Sequence, residues 1–187
     1  MSLGVGGTRV EMGAHICGFF RDQAFHDEIL RGFVAEAVGS GHMCFCLVDL
    51  PDPTLQPSDR LEILTPPEWY ASGDRFSAEA TLTRLEALVA RALEHERYPA
   101  VRVVADMTWS SSRSPALGEV CLYESELNRL ADRYPLILLC LYDLSRFPAE
   151  AVVEVHKTHP WVLGANVVFP NPYFLEPGRF PGDLDGG

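Results

Sequence analysis

Apolar runs alternate along this chain with amphipathic stretches of helical period, and this alternation limits the folds that the chain can adopt. The apolar runs have the length of buried strands and lie at residues 15–20, 43–48, 101–106 and 136–142. Helix starts are predicted at Asp22 for a helix through about Val38, at Ser77 for one ending before Tyr98, at Ser114-Pro115, and at Pro148. Such alternation requires right-handed crossovers and predicts a three-layer α/β sandwich with a mostly parallel central sheet.

The remaining segments are less regular. Residues 49–74 are rich in proline and polar side chains, with a possible short strand at 61–64, and residues 161–169 predict one strand or a hairpin. A chain of 187 residues with 47% hydrophobic content is long enough for one core of ordinary depth. We therefore expect one domain over residues 13–175, between a flexible N-terminal segment (1–12) and a flexible tail (176–187).

Charge and composition exclude several classes of function. The formal net charge of −11 would repel a phosphate backbone, so direct nucleic-acid binding is disfavoured. The sequence has neither the pattern of a signal peptide nor an apolar stretch long enough for a bilayer, which predicts no membrane contact and a cytoplasmic protein. The five cysteines lie in apolar runs and include no CxxC pair, so we expect reduced core thiols.

In nucleotide-binding enzymes of this fold class, the turn after the first strand is where a phosphate-binding loop lies. Residues 19–23 contain bulky Phe19 and Phe20 and anionic Asp22, without the glycines and Lys-Ser/Thr pair of a phosphate-binding loop. By contrast, residues 101–106 form an apolar run ending in Asp106, as in the strand that holds Mg²⁺ in such enzymes. Ser110, Ser111 and Ser112 lack the glycines of a nucleophile elbow. We expect no enzyme activity from a phosphate loop or a catalytic triad.

Candidate site residues follow from the predicted sheet. Ligands of open α/β sheets collect at the carboxyl ends of the strands, where this sequence places Asp49, Asp106, Trp109, Tyr142 and Asp143. The Asp residues suit a ligand or cation but are also ordinary turn residues, and the aromatic residues suit an organic ligand or a core edge. His15 and Cys17 are two apart, so both side chains point to one face of a strand. Convergence of His159 or Asp106 on that pair would favour a site over a structural role.

A set of separated motifs resembles one family. The residues are His15-Ile16-Cys17, Asp106-Met107-Thr108-Trp109, Tyr123-Glu124, Cys140-Leu141-Tyr142-Asp143, Phe147, His159-Pro160 and Asn171-Pro172-Tyr173. Together they resemble MEDS (methanogen/methylotroph, DcmR-like sensory) domains over about residues 12–175. Phe20 stands where the first strand of the family commonly ends in an aromatic hydroxyl, and we recognise no output domain.

The resemblance implies a degenerate relative of the KaiC/RecA-like ATPases that lacks a functional phosphate loop. It implies a domain that senses hydrocarbon derivatives or other small molecules and signals through a histidine kinase, an anti-sigma regulator or a DNA-binding protein. It also brings Glu124 into the site, although its mid-helix position by itself predicts a solvated face. The ligand-binding set expected on these grounds is His15, Cys17, Phe20, Asp106, Trp109, Glu124, Tyr142 and Asp143.

Two other functions stay open at this point. One is a metal-dependent enzyme with ligands from His15, Cys17, Asp106 or Asp143, although no motif places three of them together. The other is a protein-interaction module without a ligand. Four further histidines have polar or helical neighbours and are expected at the surface: His26, His42, His95 and His156. The identity of any cofactor is left open.

Overall fold

A computed structural model describes residues 1–48, 53–72, 75–96, 98–112 and 116–179. The strands are β1 (His15–Phe20), β2 (Met43–Leu47), β3 (Leu61–Leu64), β4 (Ala71–Ser72), β5 (Arg75–Phe76), β6 (Val101–Asp106), β7 (Leu136–Asp143), β8 (Trp161–Gly164) and β9 (Val167–Pro170). The helices are α1 (Gln23–Gly39), α2 (Pro66–Tyr70), α3 (Ala78–Ala90), α4 (Trp109–Ser112), α5 (Leu117–Arg133) and α6 (Ala149–Lys157), and a π-helical turn (Arg91–His95) continues α3.

The main sheet has seven strands in the order β3-β2-β6-β7-β1-β8-β9. All neighbouring strands are parallel except β8 and β9, which form an antiparallel hairpin. The connection from β1 leads through α1 to β2, whereas that from the neighbouring β7 leads through α6 to β8 in the opposite direction. The carboxyl ends of β1 and β7 therefore form a switch point. The predicted α/β sandwich with a mostly parallel sheet is confirmed.

Helices cover both faces of the sheet. On one face, called the α1 face, Ile29 and Phe33 of α1 pack on strand residues such as Ile16 and Leu139. On the other, called the α5 face, α3, α5 and α6 pack on the alternate strand residues, including Cys17 and Cys140. Because strand side chains alternate, each strand divides its residues between two separate cores.

The predicted helix caps are confirmed where the structure describes them. Asp22 accepts a hydrogen bond from the Phe25 amide and Ser77 accepts one from the Ala80 amide. The pair Ser114-Pro115 lies outside the described residues, and α5 begins at Leu117. The short strand predicted at 61–64 is β3, and the alternatives for 161–169 resolve to a hairpin turning at Ala165 and Asn166, both with positive φ.

The first ten residues pack on the domain instead of standing clear of it. Leu3, Val5 and Val10 are buried, and a bridge pairs Ser2 with Arg9. Spaced apolar residues in a glycine-rich segment show no helix or strand period, which is why the sequence predicts a flexible lead-in there. In the other flank, residues 180–187 lie outside the described part of the chain.

All five cysteines are buried and free of disulfides, as predicted. Among the described helices, none has both the length and the apolar character needed to cross a bilayer.

Candidate functional site

Four ionisable side chains converge inside the core on the α5 face. They are His15 at the start of β1, Glu124 in the middle of α5, Cys140 in β7, and His159 between α6 and β8. One ligand atom from each lies within 4.8 Å of the others, and all four residues are buried. We call this group the polar centre; its residues are of types that bind transition metals.

The Glu124 carboxylate occupies the middle of the polar centre. Its Oε2 lies 3.2 Å from Nε2 of His15 and 3.2 Å from Nε2 of His159. Its Oε1 accepts a hydrogen bond of 2.8 Å from the Tyr142 hydroxyl. The Cys140 sulfur lies 3.5 Å from both Oε2 of Glu124 and Nε2 of His15. A single carboxylate thus touches every other member of the group.

Hydrogen bonds at the far side of each imidazole orient the two histidines. Nδ2 of Asn128 donates to the carbonyls of Ser125 and Thr158, so its Oδ1 accepts from Nδ1 of His15 at 3.1 Å. Nδ1 of His159 lies 2.7 Å from the carbonyl of Val155, which can only accept. These contacts place a hydrogen on Nδ1 of each imidazole and leave Nε2 facing the centre, where it can donate to Glu124 when the ring is protonated or bind a metal ion when the ring is neutral.

Burial and charge set the protonation states. Burial alone would raise the pKa of Glu124, but contacts with His15 and His159 hold that pKa well below its usual range. Burial, followed by the proximity of His159, lowers the pKa of His15. Burial, followed by the charge of Glu124, raises the pKa of the Cys140 thiol and of the Tyr142 hydroxyl. At neutral pH the centre therefore carries a carboxylate beside a neutral thiol and phenol.

Four aromatic side chains form a wall next to the polar centre. Tyr70 stacks on Trp109 with ring centroids 4.0 Å apart, and Phe76 lies edge-on to Tyr123 at 5.7 Å. Tyr123 precedes Glu124 in α5, and burial, followed by the proximity of Cys140 and Glu124, raises the pKa of the Tyr70 hydroxyl. We call this group the aromatic wall; it offers flat apolar surface beside a charged group, as small-molecule sites commonly do.

The structure gathers some of the candidate residues and separates others. His15, Glu124 and Tyr142 meet in the polar centre, and Trp109 lies in the aromatic wall. Cys17 lies on the same face as His15, but its thiol donates a hydrogen bond to the carbonyl of Trp161 at 3.6 Å and is not part of the polar centre.

Other candidates lie away from the centre. Phe20 packs in the α1-face core against His26, with ring centroids 4.7 Å apart. Asp106 binds the Thr108 amide and lies 3.7 Å from Nε2 of His26, and Asp143 binds Ser145. The carboxylates of Asp106 and Asp143 thus serve local turns, and Asp49 lies outside the described residues.

Three residues that form or orient the polar centre are absent from the predicted set, namely Cys140, His159 and Asn128, and so are three residues of the aromatic wall, Tyr70, Phe76 and Tyr123. The i, i+2 spacing of Cys140 and Tyr142 could have placed both on one strand face, and the i, i+4 spacing of Glu124 and Asn128 places both on one helix face. The sequence does not indicate that the strand face with Cys140 and the helix face with Glu124 pack against each other.

Two histidines expected at the surface are buried, so that prediction is wrong for them. His26 lies between Phe20 and Asp106, and His42 accepts a hydrogen bond from Arg102. Each of the two histidines has a tertiary partner on the α1 face, which its sequence neighbours do not indicate. His95 is exposed and His156 partly so.

Two surface cavities among the described residues lie elsewhere. One of about 500 Å³ is lined by residues including Met43, Leu61 and Tyr98, at the amino ends of β2 and β3. The other, of about 330 Å³, lies between α3 and α5 and includes Leu82 and Arg133. Neither is lined by a residue of the polar centre.

Comparison with known proteins gives two matches. The family model described as MEDS, the methanogen/methylotroph DcmR sensory domain, matches residues 14–160, which include the whole polar centre. The transcriptional repressor DcmR of Methylorubrum extorquens (strain DSM 6343 / CIP 106787 / DM4) is 26% identical over 164 residues, covering 83% of this chain. The chain spans about 61% of the length of that relative.

Proposed function

Since this chain belongs to the MEDS family of sensory domains, we propose that it binds a small organic molecule and thereby controls a transcriptional regulator. The observation that carries this proposal is the polar centre beside the aromatic wall. Burying a carboxylate and two imidazoles costs stability compared with an apolar core of the same volume. Clusters of buried ionisable groups with shifted pKa values are more frequent at functional sites than in ordinary cores.

The two parts of the site suit different parts of one ligand. The aromatic wall would contact the hydrocarbon portion through Tyr70 and Trp109, which stack in parallel. The polar centre would bind a heteroatom, because it holds a carboxylate and two oriented imidazoles within a few ångströms. The ligand class inferred is therefore a small hydrocarbon derivative with one polar group.

Glu124 and Tyr123 offer a route from ligand to output. Both belong to α5, which also packs against α3 and α6. A ligand that binds one position of α5 better than another would shift the helix, and differential affinity is all that a sensor needs. The output would come from a fused domain or a partner such as a DNA-binding protein, a histidine kinase or an anti-sigma regulator in the cytoplasm, because the net charge of −11 disfavours direct DNA contact by this chain.

We also infer descent from a KaiC/RecA-like ATPase that lost its phosphate loop. The mostly parallel sheet with a switch point between β1 and β7 supports this descent, and the turn at Arg21 and Asp22 lacks the glycines that wrap a phosphate. We do not propose an enzyme that uses His15, Cys17 and Asp106, because Asp106 contacts α1 on the other face of the sheet.

A thermal-shift experiment tests the sensory role. The folded chain is screened with short-chain alcohols, amines and halogenated alkanes, and at least one class is expected to raise the melting temperature. Trp109→Leu removes an aromatic side chain from the wall, and Phe33→Leu removes one from the α1 face as the matched control. Only Trp109→Leu should abolish the shift; equal responses in both variants, or no response in the parent chain, would contradict the proposal.

A further inference from the structure

We propose that the polar centre is a binding site for one divalent transition-metal ion, with Zn²⁺ the best match. The ligands would be Nε2 of His15, Oε2 of Glu124, Sγ of Cys140 and Nε2 of His159. This inference does not rest on the proposed sensory role. An ion that takes these four donor atoms leaves the aromatic wall free for an organic ligand, whose polar group would then approach the ion itself as a fifth ligand.

Four of the six distances between the donor atoms match those around a tetrahedral ion, and the other two, from Nε2 of His159 to Nε2 of His15 and to Sγ of Cys140, are at most 4.8 Å. With metal–nitrogen and metal–oxygen bonds of about 2.0–2.1 Å and a metal–sulfur bond of about 2.3 Å, neighbouring N and O donors lie about 3.3 Å apart, and S lies about 3.6 Å from either. The corresponding distances here are 3.2 Å for Glu124 to each imidazole, and 3.5 Å for Cys140 to both Glu124 and His15. The same four side chains would need only small shifts to enclose an ion.

The groups around the donors are those expected behind metal ligands. Metal-binding histidines usually donate their other ring N–H to a carbonyl or carboxylate, which fixes the ring and its tautomer. His15 does so to the side-chain carbonyl of Asn128 and His159 to the backbone carbonyl of Val155. The Tyr142 hydroxyl binds the second oxygen of Glu124. Each imidazole is therefore held through its Nδ1 atom, and the Glu124 carboxylate through its Oε1 atom, so that the proposed donor atoms are fixed in position.

The electrostatics of the centre call for a cation. Nε2 of both imidazoles faces one carboxylate oxygen in a fully buried space, so a proton or a cation is needed between these atoms. Zn²⁺ bound by the Glu124 carboxylate and a Cys140 thiolate, with two neutral imidazoles, makes a group of zero net charge. The thiol proton would leave as the metal–sulfur bond forms, passing to solvent as the ion is incorporated during folding.

The donor set also selects the kind of metal. Mg²⁺ and Ca²⁺ prefer oxygen ligands in larger number, whereas two imidazoles and a thiolate suit Zn²⁺ and related first-row ions. The ligands come from separate elements, β1, α5, β7 and the segment before β8, so a bound ion would join them across the α5-face core.

Metal content of the full 187-residue chain is the first test. The chain is produced in zinc-supplemented medium, then unfolded with a chelator and refolded with or without Zn²⁺. Elemental analysis is expected to find one zinc per chain in the native and zinc-refolded protein. Folded protein that contains no zinc above the level of a His159→Gln variant would overturn the proposal.

Cobalt substitution identifies the ligands. Chain refolded with Co²⁺ should show the intense visible bands of tetrahedral coordination and a sulfur-to-cobalt charge-transfer band. Cys140→Ser should lose the charge-transfer band, whereas Cys17→Ser, which removes another buried thiol on the same face, should keep it. An octahedral spectrum, or the same spectrum in both variants, would overturn the proposal.

A second variant covers the case in which Cys140→Ser does not fold. His159→Gln should weaken Zn²⁺ binding about tenfold or more in competition with a chromophoric chelator, whereas the buried control His42→Gln should not. An equal affinity in both variants would count against the site. The thermal-shift screen, run on zinc-bound and zinc-free protein, reports separately on the sensory role.

Discussion

Two buried charged groups lie on opposite faces of the same sheet, and they are built differently. Arg102 of β6, fully buried on the α1 face, directs each guanidinium nitrogen at an acceptor: Nε at His42, Nη1 at the Leu3 carbonyl and Nη2 at the Ser2 carbonyl. Its guanidinium also lies 5.6 Å from the Phe33 ring centroid. The polar centre on the α5 face instead directs several acceptors at one another around Glu124.

The difference separates a structural charge from a functional one. A buried donor group that meets its acceptors fixes the parts of the chain that supply them. Arg102 thus anchors the first residues of the chain, which explains why a segment without helical or strand period is ordered in the structure. A buried group whose acceptors face each other needs something further between them, a proton or a cation.

The largest effect is expected from removing the structural charge. Arg102→Met keeps much of the apolar stem but leaves the carbonyls of Ser2 and Leu3 without their donor. The free energy of unfolding should fall by about 3 kcal/mol or more, measured by urea denaturation. A loss below about 1 kcal/mol would mean that Arg102 does not hold the N-terminal segment.

Removing the metal ion from the polar centre should lower the free energy of unfolding by an amount equal to or smaller than the loss in Arg102→Met. At Zn²⁺ concentrations of about 100 times the dissociation constant, binding adds about 2.7 kcal/mol to the free energy of unfolding, which a chelator should remove. The same increment is expected in Arg102→Met, because the two sites lie on opposite faces and share no partner. Loss of the zinc increment in Arg102→Met would show that the two faces are coupled.

Removing one hydroxyl from the polar centre should have a moderate effect. Tyr142→Phe deletes the hydrogen bond to the buried Glu124 carboxylate and should cost about 1.5–3 kcal/mol in chemical denaturation, since hydrogen bonds to charged groups exceed neutral ones. Tyr134→Phe is a matched control, because its hydroxyl also binds a glutamate, Glu86, but in a partly exposed position. We expect Tyr134→Phe to cost less than about 1 kcal/mol, and equal losses would contradict a special role for the buried pair.

The smallest effects are expected from the two strand-end carboxylates that serve turns. Asp106→Asn and Asp143→Asn keep an acceptor for the Thr108 and Ser145 amides, so the free energy of unfolding, measured by urea denaturation, should change by about 0.5 kcal/mol or less. Neither should alter zinc content or the ligand-induced thermal shift. If Asp106→Asn abolished the ligand response, the sensory site would belong to the α1 face instead.

Much of the fold could be predicted from local patterns. The runs at 15–20 and 101–106 are strands with the predicted bounds, and Asp22 and Ser77 cap helices as expected. These features depend on residues a few positions apart, where period and capping chemistry act directly. The buried positions of His26 and His42 could not be predicted in this way, because each depends on a partner distant in the chain or on another element.

The layered α/β architecture and the family follow from the amino-acid pattern, as does the common direction of His15 and Cys17, since a strand has a period of two. Which histidine, glutamate and thiol meet follows instead from how the strands and helices pack. Pairing of β1 with β7 and the position of α5 over them bring Glu124, Cys140 and His159 to His15, and the face of each strand sets Asp106 and Phe20 apart from them. Local periodicity states which side chains share a face, whereas contact between faces depends on long-range pairing.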